Sequence, residues 1–264
     1  MRSERASALG GAIEPDWQAP GVGALMTTRA GGVSAPPWDT LNLGTAVGDD
    51  PAAVAENRRR LAATIGAAPV YLRQVHGARV VELAEADADA AREPPEADGA
   101  VTAARGVACT VQVADCLPVL FAARGGRAVG AAHAGWRGLA AGVVEATLQR
   151  VCALAGCAPG DVQAWLGPCI GPGAFEVGAD VLEAFGVDPL AGDAPHLRYA
   201  PRPDGSARWR CDLAGLARER LARAGVAEVS GGGWCTVEDR SRFFSFRRDG
   251  VTGRHVAAVW RHGG

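Results

Sequence analysis

Three side chains suited to soft or borderline metals each sit beside a predicted turn in this chain. They are His76 in Gln74-Val75-His76-Gly77, Cys116 in Ala114-Asp115-Cys116-Leu117-Pro118, and His133 in His133-Ala134-Gly135-Trp136-Arg137-Gly138. Two imidazoles and one thiolate suit zinc, and three protein ligands with a fourth position open is the catalytic pattern. A closed structural site usually shows short spacings such as Cys-x-x-Cys, and the chain has none. The actual spacings match no general ligand template, so two other readings stand beside the metal. In one, Cys116 is a small buried hydrophobe and the histidines satisfy loop hydrogen bonds. In the other, Cys116 is a nucleophile with His133 as its base and Asp115 orienting or acidifying the pair.

Arginines give the second signal. Arg29 lies in a glycine turn, Arg58 on a helix, Arg137 in a turn before a helix, and Arg247 beside Arg248 near the C-terminus. A planar guanidinium binds phosphate bidentately, and backbone N–H groups where a helix starts after Gly138 would add to an anion site. For each arginine alone, a solvated surface charge is the simpler reading. Trp136 is a stacking surface for a ring or a packing residue. No Gly-x-Ser-x-Gly elbow, Rossmann fingerprint or P-loop occurs in its required context.

The elements that must position these residues follow from periodicity and turn chemistry. Asp50-Pro51 predicts a helix start, with Val54, Leu61 and Ile65 on one face and Gly66 closing it. Val22–Thr28, Val70–Val75, Arg79–Leu83, Gly106–Val113, Leu117–Ala122, Ala128–His133, Val162–Leu166 and His255–Trp260 are predicted strands, with Cys109, Val111 and Val113 sharing one side of the pleat. Helices are expected after Gly138 up to Gly156, over Val177–Phe185, and after the cap Asp212. Residues 186–208 carry no assignment, and residues 1–20 read as a loose, flexible lead-in to a single domain over residues 21–264. Meander pairs mixed with strand–helix units give an α/β class with a mixed sheet.

Bulk properties exclude several classes. The 264 residues suffice for a substantial core. A formal charge of -2 gives no bulk attraction to nucleic acid or anionic membrane. Seven scattered cysteines point to a reducing compartment, and no signal peptide or spanning run is visible. The expectation is a cytoplasmic protein, a monomer or small homo-oligomer, with no nucleic-acid or membrane partner.

The three motifs around His76, Cys116 and His133 resemble those of the bacterial YfiH-like, or laccase-domain, family. Thr27-Thr28-Arg29, Gly31-Gly32-Val33-Ser34, Leu41-Asn42-Leu43-Gly44, Val47-Gly48-Asp49-Asp50-Pro51, Asn57-Arg58, Leu166-Gly167-Pro168 and Phe244-Ser245-Phe246-Arg247-Arg248-Asp249 add to the match, in order, over about residues 22–260. The resemblance implies a single α/β domain with layered α/β/β/α mixed sheets. It places zinc ligands on His76, Cys116 and His133, with copper a possible substitute, and makes Arg58 a phosphate-binding candidate. Arg29, Asn42, Gln74 and Arg137 become pocket candidates. Phe246 stands where tyrosine is common, a change that keeps the ring. The implied activity is zinc-dependent phosphorolysis of adenosine, inosine and S-methyl-5'-thioadenosine to free base and sugar 1-phosphate, with deamination of adenosine to inosine. Purine nucleosides and phosphate are then the partners, and Asp115 a candidate for proton transfer. Two alternatives are a Cys–His hydrolase editing a nucleotide-linked cell-wall precursor and a copper-dependent polyphenol oxidase; five histidines argue against the second.

Overall fold

In the computed structural model, which describes residues 9–17, 19–89 and 91–263, thirteen strands and six α-helices follow one another. They are β1 (Val22–Met26), α1 (Pro51–Ile65), β2 (Ala68–Val70), β3 (Val80–Glu82), β4 (Gly99–Thr102), β5 (Val107–Val113), β6 (Leu117–Ala123) and β7 (Val129–Ala134). Then come α2 (Trp136–Ala140), α3 (Val143–Ala155), β8 (Val162–Leu166), β9 (Glu176–Val177), α4 (Ala179–Ala184), β10 (Leu197–Tyr199) and β11 (Trp209–Cys211). The last are α5 (Leu213–Arg223), β12 (Glu228–Gly231), α6 (Phe246–Asp249) and β13 (His255–Arg261).

Alternation along the central strands dictates the layering. In β6, Val119 and Phe121 point to one face of the sheet and Leu120 and Ala122 to the other. The second set meets Cys109, Val111 and Val113 of β5, so the six-stranded sheet β12-β8-β6-β7-β4-β3 packs against the four-stranded sheet β1-β13-β5-β2. Val119 and Phe121 face α3 and α5 through Val144, Leu148, Leu216 and Leu221. On the far side of the smaller sheet, Leu25, Ala108 and Ala258 meet Leu61 and Ile65 of α1. This is the α/β/β/α order, in one domain of mixed sheets. A third sheet, β10-β11-β9, sits beside α4.

Capping chemistry sets α1 and α5. Asp50 accepts from the Ala52 N–H, Pro51 opens α1, and Gly66 ends it in the left-handed region. Asp212 accepts from the Gly215 N–H at the head of α5.

Several expected boundaries move for physical reasons. The strand expected over Val70–Val75 is only Ala68–Val70, because beyond it the Gln74 side chain takes over the pairing with β5. Its amide donates to the Gln112 carbonyl at 2.9 Å and accepts from the Gln112 N–H at 2.7 Å. The helix after Gly138 begins earlier, at Trp136, and is broken at Gly142, whose φ of 93° no helix accommodates. In place of a helix start at Val177, Glu176–Val177 pairs with β11. Residues 186–208, whose Pro- and Gly-rich sequence shows no periodicity, contain β10. The described part of the lead-in is packed, not loose. Leu9 is fully buried, Trp17 nearly so, and Ile13 pairs with Met26 through hydrogen bonds of 2.8 and 2.7 Å; residues 1–8 lie outside the described residues.

Candidate metal and substrate site

His133 lies on β7 opposite Pro118 of β6, and Cys116 stands just before β6, level with Gly135. His76 comes in from the loop between β2 and β3. Its ring and that of His133 meet edge to face with centroids 4.9 Å apart. One donor atom from each of His76, Cys116 and His133 lies within 4.8 Å of the others, the one such group of three among the described residues.

One carboxylate organises two of the three ligands. Asp98, fully buried just ahead of β4, holds His133 Nδ1 at 2.8 Å through Oδ1, and its carbonyl accepts from the His133 N–H at 2.7 Å. The same carboxylate accepts three successive N–H groups of the His76 loop, from Val75 at 3.1 Å, His76 at 2.9 Å and Gly77 at 2.7 Å. Such convergence turns His76 into the left-handed conformation, with φ 62°. A carboxylate on Nδ1 fixes the tautomer and leaves Nε2 for a metal, the usual outer support of a histidine ligand.

The electrostatics suit a cation. Burial opposes ionisation of Cys116, yet the His133 and His76 rings bring its thiol down to about 6. Burial likewise opposes a charge on His133, but the Cys116 thiolate and Asp98 raise it to about 9. Asp98 is lowered despite burial, by His133 and by the Gly77 and Val75 N–H groups. Each partner thus favours the ionised form of the other, and a zinc held here would take the place of the proton between them. Two imidazoles and a thiolate, preorganised and electron-rich, fit zinc.

Glycines in the His133–Gly138 motif have separate duties. A Cβ on Gly135 would lie 3.0 Å from Cys116 Sγ and 3.2 Å from the His76 ring, and one on Gly138 would lie 2.8 Å from the Gly77 carbonyl. Both absences let the β7–α2 turn close over the ligand group.

A cleft of about 200 Å³ opens from this group. Trp136, Ile170, Phe175, Leu213 and Phe246 give it apolar walls, and Asp115, Arg137 and Arg247 give it charge. Asp115, held at φ 102°, is committed at both oxygens. Oδ1 accepts from the Thr236 hydroxyl at 2.6 Å and Oδ2 from the Arg247 N–H at 2.6 Å. That bonding makes Asp115 a tie between the Cys116 turn and the segment carrying Arg247.

The expected pocket residues separate in space. Arg137 reaches the cleft, whereas Arg58, Arg29, Asn42 and Gln74 are not among its walls. Arg58 donates to the Leu43 carbonyl at 3.0 Å and lies over the Tyr71 ring at 3.6 Å. Arg29 pairs with Asp39 at 3.1 Å. Asn42 is buried and bridges Gly44, Asp49 and the Arg254 N–H. Gln74 pairs with β5, as above. Helix α2, five residues long, is too short to serve as an anion-binding helix terminus. Asp98, Arg254 and the Phe175 wall are additions that the sequence did not single out, whereas Trp136 and Phe246 were among its candidates. The half-buried Arg254 guanidinium feels Cys116 and Asp115, and it stands 5.7 Å from the Phe246 ring.

A family model described as multi-copper polyphenol oxidoreductase laccase matches residues 23–262. A purine nucleoside phosphorylase of Pseudomonas aeruginosa is 51% identical over 251 residues, covering 94% of this chain and 97% of that protein. The purine nucleoside phosphorylase YfiH of Escherichia coli K12 is 45% identical over 251 residues, covering 94% and 98%. The crystal structure of a Neisseria meningitidis protein of family model DUF152 superposes with a TM-score of 0.84 at 44% identity, covering 96% of this chain and 99% of that one. YlmD from Geobacillus stearothermophilus gives 0.81 at 33%, covering 92% and 93%.

Proposed function

The chain belongs to the laccase-domain (YfiH, DUF152) family, and from that premise we propose that it is a zinc-dependent purine nucleoside phosphorylase. Its substrates are adenosine, inosine and S-methyl-5'-thioadenosine, and it also deaminates adenosine. The observation that carries the reading is the His76, Cys116 and His133 group at the head of a cleft with aromatic walls. The names of the Pseudomonas and Escherichia relatives support it.

In phosphorolysis a phosphate oxygen bonds to the sugar C1' as the bond from C1' to the purine nitrogen breaks. The electron pair leaves with the base, which takes the proton that hydrogenphosphate gives up. In deamination, water adds to the purine carbon bearing the amino group and ammonia departs. Trp136, Phe175 and Phe246 provide flat apolar surfaces for the purine and sugar. Asp98 keeps the His133 ring in register, and Asp115 keeps the Cys116 turn fixed against the Arg247 segment. Zinc held by His76, Cys116 and His133 would supply a Lewis acid that polarises an acceptor and acidifies water.

Two other readings meet specific observations. A Cys–His hydrolase is favoured by the thiolate–imidazolium pairing; under it, Cys116→Ser abolishes turnover even with metal retained. Multicopper phenol oxidation needs many more ligands than the chain offers. Of its five histidines, His255 is buried beside Phe243 and Phe244, and His196 faces Asp212 and Glu219. The His2Cys set itself would also accept a single copper. The decisive experiment incubates purified protein of measured metal content with adenosine, with and without phosphate, and separates the products. Phosphate-dependent adenine and phosphate-independent inosine are expected, and both are lost together with the metal in Cys116→Ala. Neither product from zinc-loaded wild type ends the proposal.

A further inference from the structure

We infer that Arg137 and Arg247, both lining the cleft, form the seat of a phosphate dianion, that of inorganic phosphate; the assignment of co-substrate rests on the phosphorylase reading above. Three observations carry it.

Each guanidinium is steadied by an aromatic face rather than cancelled by a carboxylate. Arg137 lies over the Trp136 ring at 4.2 Å and Arg247 over the Phe175 ring at 5.3 Å. Arg247 spends one nitrogen on the Glu176 carbonyl at 3.1 Å. Among the described residues no hydrogen bond to the Arg137 guanidinium is present. The planar fork of each therefore keeps N–H edges for a tetrahedral anion.

Asp115, the one carboxylate among the cleft's walls, has both oxygens engaged by Thr236 and Arg247. Those neutral donors orient the carboxylate without cancelling its charge, but two guanidiniums outnumber it among the cleft's walls. The same bonds set the Arg247 main chain one residue away from Cys116, so the anion seat is registered against the ligand group.

The neighbouring Arg248 does different work. It donates to the carbonyls of Thr236, Val237 and Phe243 and pairs with Asp249 at 2.6 Å. Within the Arg247-Arg248 pair, one arginine builds the loop and the other faces the ligand.

The test measures the phosphate KM of zinc-loaded wild type, Arg137→Gln, Arg247→Gln and Arg58→Gln at saturating adenosine, and titrates inorganic phosphate calorimetrically, which needs no turnover. Both cleft variants are expected to raise the phosphate KM about tenfold to a hundredfold, the loss of a charge-assisted hydrogen bond. The adenosine KM stays within about twofold, and lysine at either position restores part of the phosphate affinity because charge survives while the fork does not. Thermal melts of the Lys and Gln variants separate unfolding from lost binding. Unchanged phosphate KM and titration in both cleft variants overturn the seat while leaving the phosphorylase reading intact. A selective loss in Arg58→Gln overturns it too. Adenosine 5'-monophosphate binding that depends on Arg137 and Arg247, with phosphate unaffected, overturns the co-substrate assignment in favour of a nucleotide's own phosphate. If wild type releases no adenine, the phosphorylase reading falls, and the calorimetric titration of phosphate still decides the seat.

Discussion

At the scale of single residues, the weight of the site falls on a side chain that binds nothing itself. Asp98 joins His133 to the His76 loop, so Asp98→Asn keeps one acceptor oxygen of two and turns its amide N–H groups either on His133 Nδ1 and the His76 N–H or on the Val75 and Gly77 N–H groups. Zinc affinity should fall about 10–100-fold, the usual cost of losing an outer carboxylate. Competition with a chromophoric chelator measures this, and an unchanged affinity would show that the imidazole needs no such support. Gly135→Ala offers a complementary probe, since its Cβ would crowd Cys116 and His76. Metal loading should drop with the melting temperature of the chelator-treated protein unchanged. The three ligand candidates were legible from residue type and from their place beside turns. Asp98 was not: it is one of 29 acidic residues. Its burial depends on β4 and β7 meeting, which no local pattern announces. The Asp98-Gly99-Ala100-Val101 run, an acid directly ahead of an apolar stretch, was the available clue.

Among the elements, α1 does more than cover the smaller sheet. Asn57, fully buried on it, accepts from the Val33 N–H at 2.9 Å, while its amide faces the Ser34 hydroxyl and the Thr40 and Asn42 carbonyls. The irregular segment from Gly31 to Gly44 is thus hung from one amide. Asn57→Ala strands several buried polar groups, and a loss of about 3 kcal/mol is expected from the usual 1–3 kcal/mol per unsatisfied group. Urea unfolding of the two proteins reads it directly; a difference below about 1 kcal/mol would mean that water repairs the gap. Elements with strong periodicity or caps, such as α1, α5, β5 and β13, were readable from the chain. Strand β4 was not, because its four residues are buried on both faces and show no alternation. Strand β12 is half exposed at a sheet edge and ends in glycine. Pairing partners distant in sequence decide both. The break at Gly142 was hidden for a related reason, since the apolar spacing runs through it.

For the molecule as a whole, the two-sheet sandwich sets a pH limit through His255. This residue opens β13 opposite Val113 of β5, is fully buried, and accepts the Phe244 N–H on Nε2 at 2.8 Å. Burial, with help from Arg29 and Arg254, pushes its pKa down to about 3. Below about 6.5 the unfolded chain binds a proton on this ring and the native protein refuses it, so stability falls as pH falls, by up to about 1.4 kcal/mol per unit. Between pH 7 and pH 5 the loss from this one ring amounts to about 2 kcal/mol. Asp98, whose pKa is lowered, acts in the same direction only at more acid pH, as protons reach the carboxylate range. Metal ligands titrate across the same interval, which makes the wild-type curve alone uninformative. The difference between wild type and His255→Gln cancels them, because His255 touches none of the three. The stability advantage of wild type over His255→Gln should therefore shrink by about 2 kcal/mol on going from pH 7 to pH 5. Denaturant midpoints at both pH values, on zinc-loaded protein, check it. Two curves that run parallel through that range would mean that the ring is already charged in the folded core, and the sandwich would not set the acid limit.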